Sequence, residues 1–110
     1  MSSSQYWYGR EDAPTVILSL IQKIGDIEEA RRIIKEEICT RKQRLITMKR
    51  GDGRLYERGL INGMKILYGD LLKINDFQEA IDLLKEKEMD LSNIAKIEME
   101  VNSKKDKNKH

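Results

Sequence analysis

Residues 23–37 (KIGDIEEARRIIKEE) return fifty positions later as residues 73–87 (KINDFQEAIDLLKEK), with seven of the fifteen aligned positions identical. Each copy opens with a turn residue, Gly25 or Asn75, followed by an aspartate, Asp26 or Asp76. Three residues further on stands Glu29 or Glu79. An aspartate oxygen can accept from the free amides of a first helical turn, and a glutamate three places later completes a capping box. The apolar residues that follow recur at helical spacing, Ile33-Ile34 matching Leu83-Leu84. Two such helix starts in 110 residues, with one proline, one phenylalanine and almost no alternating apolar runs, predict an all-α chain.

The spacing predicts a first helix opening at Asp12, with Pro14 in its first turn and Gly25 ending it. Its apolar face is Val16, Ile17, Leu20 and Ile24. A second helix runs from Asp26 to about Lys49, where Ile27, Ala30, Ile34, Ile38, Leu45 and Met48 form one stripe. Arg41 projects into that stripe, so it must snorkel, pair with an acid or meet a ligand. Gly51-Asp52-Gly53 breaks the chain, and a third helix is expected from Arg54 to Ile74. It is apolar over a wide arc, through Tyr56, Leu60, Met64, Leu67 and Leu71 with Ile61, Tyr68 and Leu72 beside them. A helix of that kind belongs at the centre. Gly59 and Gly63 lie one turn apart on its edge and each costs about 1 kcal/mol of helix propensity, which is understandable where another helix comes close. A fourth helix starts at Asp76, with Phe77, Ala80, Ile81 and Leu84 inward, and a short fifth segment follows Asp90 or Ser92. The expected architecture is a compact four- to five-helix bundle or array built on antiparallel helical hairpins. It divides into a flexible aromatic arm at 1–12, one α-helical domain at 13–101 and a disordered Lys-rich tail at 102–110.

The stretch from Leu67 to Lys87 resembles the junction between the two helices of a tetratricopeptide unit, through Asn75-Asp76-Phe77 and Glu79-Ala80. A partial second copy occurs at 23–37, through Gly25-Asp26-Ile27 and Glu29-Ala30. The copies are fifty residues apart, against about 34 in that family. The resemblance implies paired helices that come closest at Ala30 and Ala80.

Composition narrows the function classes. The one histidine is His110 at the end of the chain, and the one cysteine is Cys39, expected as a small half-buried residue. Histidine-based acid-base chemistry and cysteine metal sites therefore have no holder, and no metal or other cofactor is expected. The start lacks a signal-peptide core and no apolar run suits a membrane span, so a cytoplasmic, non-enzymatic protein is expected. The net charge of +2 is unevenly spread. Residues 41–60 carry +5, the flanking segments 1–40 and 61–100 carry −2 and −4, and residues 101–110 carry +3. The basic patch Arg41, Lys42, Arg44, Lys49, Arg50 and Arg54 could meet an acidic protein or the phosphates of a nucleic acid. Tyr6, Trp7 and Tyr8 supply half of the chain's aromatics. They either fold back, with Trp7 plugging a groove, or dock into a protein partner or a second copy of the chain. A small protein-interaction module, an adaptor or an inhibitor of a larger complex, is the leading expectation, and chains of this build are common in phages and other mobile elements. A nucleic-acid-binding accessory protein is the alternative.

Overall fold

The computed structural model describes residues 3–90. The expected fifth segment and the 102–110 tail lie outside them. The described chain is helical throughout: α1 Ser3–Ile21, α2 Ile27–Thr47, α3 Asp52–Leu71, and α4, which begins at 77 and is described to 90. Asp26 Oδ2 accepts from the Glu29 amide at 2.8 Å and Asp76 Oδ2 from the Glu79 amide at 2.9 Å, so both repeat copies are capped alike.

The repeat in three dimensions extends well beyond the fifteen-residue match. α1 ends at Ile21 and α3 at Leu71, fifty residues apart, and α2 and α4 start at 27 and 77. The turn hydrogen bonds recur at the same offset: Ile24 N to Ile21 O and Ile74 N to Leu71 O, then Ala30 N to Asp26 O and Ala80 N to Asp76 O. The turns differ at one point. Gly25 sits at φ +78°, in the left-handed region that favours glycine, whereas Asn75 does not.

The seam between α1 and α3 is the tightest contact. A Cβ on Gly59 would overlap the carbonyl oxygen of Tyr6, and one on Gly9 would overlap the carbonyl oxygen of Tyr56 and lie 2.7 Å from Leu60 N. A Cβ on Gly63 would lie 2.7 Å from Ala13 Cβ. Gly9 and Ala13 stand at the positions equivalent to Gly59 and Gly63. The contact is therefore reciprocal, as across a two-fold axis, and the two helices run parallel. Backbones at such distances exchange weak Cα–H···O contacts and dense dispersion. The chain crosses antiparallel everywhere else, since Arg41 of α2 meets Glu57 of α3 while Arg31 meets Leu71. Thr15 of α1 likewise reaches Glu88 of α4 at 2.6 Å.

This seam corrects the reading of residues 1–12 as a flexible arm. The helix starts at Ser3 rather than Asp12, and Pro14 lies inside it. Tyr6 and Gly9 are held by α3, which orders the turns ahead of the proline. Proline has no amide to donate to the carbonyl four residues back, that of Arg10. That carbonyl faces Gly63, 3.1 Å from where its Cβ would be. The core is filled from all four helices, with Ile17, Ile21, Ile34, Leu60, Met64, Leu71 and Leu84 fully buried. Ala30 and Ala80 are equally buried. Leu72 and Ile24, read as inward-facing, lie in the turns and are 53% and 36% exposed. Cys39 is exposed rather than half-buried, because it follows Ile38 on the side of α2 turned from the core.

Two glycines on one helix separate the effect of the seam from helix propensity. Gly59→Ala should lower the unfolding free energy by about 2 kcal/mol or more through overpacking. Gly69→Ala, where nothing lies within 4 Å of an added Cβ, should raise it by about 0.5–1 kcal/mol. Urea denaturation followed by circular dichroism measures both.

Candidate binding face at one end of the bundle

Parallel α1 and α3 with antiparallel α2 place the start of α1, the start of α3 and the end of α2 together. The aromatic cluster and the basic patch, far apart in sequence, therefore share one end of the molecule. Tyr6 is the link. Its hydroxyl accepts from Asn62 Nδ2 at 3.0 Å, its ring meets Trp7 edge-on at 5.3 Å, and its carbonyl lies on Gly59.

Tyr6 is turned partly inward while Trp7 and Tyr8 remain 57% and 54% exposed. Trp7 does not plug a groove: the helix holds it on the outer face, where the Arg10 guanidinium stacks 5.4 Å from its ring centroid. A large aromatic fixed on a rigid helix loses little further freedom when a partner covers it.

The basic patch splits into two groups. Arg41 is half-buried and spent internally, its Nε donating to Glu37 at 2.9 Å and its Nη1 to Glu57 at 2.9 Å. Glu57 is the one buried charged residue among those described, 7% exposed, and Arg44 reaches the same Oε1 at 3.4 Å. A buried carboxylate without these partners would be strongly destabilising, so Arg41 serves the fold. Lys42, Lys49 and Arg50 are exposed, and Arg54 is half-exposed. Arg58, which was not among the expected patch residues, joins them: it lies four residues after Arg54 on the same face of α3 and close enough to Tyr6 to lower its pKa. Arg50, Gly51, Arg54, Leu55 and Arg58 line an open concavity of about 440 Å³.

Another arginine escaped the sequence reading altogether. Arg31 Nη2 donates to the carbonyls of Leu71, at 3.1 Å, and Ile74, so α2 satisfies the carbonyls left open at the end of α3. Its counterpart at the repeat offset is the buried Ile81. No sequence signal separates this role from an ordinary solvated arginine.

Among the described residues no three His, Cys, Asp or Glu side chains are grouped to hold a metal ion, and no helix is long and apolar enough to cross a membrane. No protein-family profile, curated protein or solved structure matches the chain.

The repeat gives an internal comparison of two tyrosines. The Asn62 amide, then Arg10, hold the Tyr6 phenol below its ordinary 10. At the equivalent position, burial and the hydrogen bond to Asp12 push Tyr56 up to about 12. The Tyr56 hydroxyl donates to Asp12 Oδ2 at 2.5 Å, and ionisation would set two negative charges side by side. Its contribution to stability is thus complete below pH 10 and lost as pH climbs toward 12. Alkaline titration followed by ultraviolet absorbance should show Tyr6 ionising before Tyr56. Tyr56→Phe should remove the later transition and flatten the fall in stability over that range.

Proposed function

We propose that this protein is a small non-enzymatic interaction module that docks an acidic protein partner with the end of the bundle carrying Trp7, Tyr8 and the arginines. The observation that carries the reading is the meeting, at one end of the bundle, of two exposed aromatics and a cationic patch whose Arg50, Arg54 and Arg58 pair with no described carboxylate. Aromatic and arginine side chains dominate interface energetics, and a basic surface steers an acidic partner into register. In a cytoplasmic setting, such a module acts as an adaptor or an inhibitor of a larger assembly, a role that mobile elements often fill with chains of this size.

A second reading has one observation in its favour. Bases stack on aromatics while arginines follow phosphates, and the fold sets Trp7 against Arg10 and Tyr6 near Arg58. A nucleic-acid accessory protein would use the same end, without the internally paired Arg41.

Quantitative capture from native cell extract separates these. Trp7→Ala should leave the fold within about 0.5 kcal/mol, as for other exposed positions, and weaken a protein partner by about 2 kcal/mol or more. Capture of the same partner in equal amount by both forms would remove this face from the account. In a mobility-shift assay, phosphate-driven binding should fall by roughly 10³-fold between about 50 and 200 mM salt. No retention of single-stranded DNA or RNA at the lower salt would eliminate the second reading.

A further inference from the structure

The concavity at the start of α3 has a specific chemistry. Arg54 and Arg58 stand four residues apart on α3, a spacing that advances only about 40° around a helix. They therefore project along one face, and Arg50, in the turn ahead of the helix, lines the same hollow together with Leu55. Neither Asp52 nor Glu57 lines it, and Glu57 is turned across to Arg41 and Arg44. Among the described residues no hydrogen bond or ion pair engages Arg50, Arg54 or Arg58 with a carboxylate.

Arg54 lines the hollow, and its Nε, shielded from solvent, has no hydrogen-bond partner among the described residues. A buried donor left unmatched costs free energy, which a turn of the guanidinium toward an acceptor in the hollow would recover. The backbone adds to the same field. Gly51, at φ +148° and without a side chain to cap the helix, leaves the first amides of α3 open, where α2 and α4 have Asp26 and Asp76. Three forked cations, one of them with an unmatched Nε–H, and the start of a helix border one hollow.

We propose that this hollow is a binding site for a phosphoryl group presented as a compact dianion, as in free phosphate or a phosphate monoester. Arg54 is its central ligand, with Nε as one donor, and Arg50 and Arg58 close it from either side. The inference rests on the reading of this end as a binding face and names the chemistry it recognises. The volume of about 440 Å³ is within the range of small-ligand pockets, roughly 300–1,000 Å³. It leaves room for whatever carries the phosphate.

The test is a titration of the full chain with inorganic phosphate at constant ionic strength, followed by NMR of the arginine Nε–H groups and the amides of residues 51–54. Saturable shifts confined to these groups are expected. Arg54→Gln should weaken the apparent affinity at least tenfold, Arg58→Gln should also weaken it, and Lys35→Gln, at an exposed position of α2 outside the basic patch, should leave it unchanged. Circular dichroism confirms that each variant is folded. Shifts that never saturate, or that spread equally over Lys42 and Arg44, would overturn the site, as would wild-type affinity in Arg54→Gln. A parallel arm uses a short single-stranded oligonucleotide. Saturable oligonucleotide binding that inorganic phosphate does not displace would replace the dianion site with a phosphodiester track. Partner capture that depends on Trp7 can survive any of these failures, so loss of the phosphate site is distinguishable from loss of the docking face.

Discussion

The fold depends on backbone meeting backbone between α1 and α3. Gly9 and Gly59 each lie on the carbonyl of the other helix's tyrosine, and no side chain fits between them. That contact orders the first three turns of α1, which have little apolar periodicity of their own. It also sets the two helices parallel, so that α2 and α4 must pack antiparallel on the outside. The large apolar residues then close around the seam, with Ile17 and Ile21 of α1 beside Leu60, Met64 and Leu71 of α3 in one core.

Much of this architecture was legible from side-chain chemistry. Asp26 and Asp76 mark their helix starts because a cap is a local event, and the apolar stripes of α2 and α3 fall on the buried faces. Gly59 and Gly63 read as an edge suited to another helix without naming it, and α1 is the helix that lies against them. The N-terminal turns could not be read in this way, because Gly9 and Ala13 carry no hydrophobic signal and Pro14 looks like a helix start. Their order comes from a partner fifty residues away.

The binding end was legible in its parts and not in its assembly. Sequence separates Trp7 from Arg54 by most of two helices, and only the parallel seam brings them to one end of the bundle. Arg41 has the same side chain as Arg54, yet one is consumed by Glu57 and the other lines a hollow, a difference decided by contacts across helices. Arg58 enters for the same reason.

The near-symmetry of the two halves bears on where this chain could acquire its role. Several equivalent positions agree along the seam and past the turns, as with Tyr6 and Tyr56, Gly9 and Gly59 or Ala30 and Ala80, and others part company at the open end. There Ser4, Trp7 and Tyr8 stand opposite Arg54, Glu57 and Arg58. Two similar halves can differ at their rim, each contributing what the other lacks. One half brings greasy rings and the other brings positive charge, so a single composite surface arises from both.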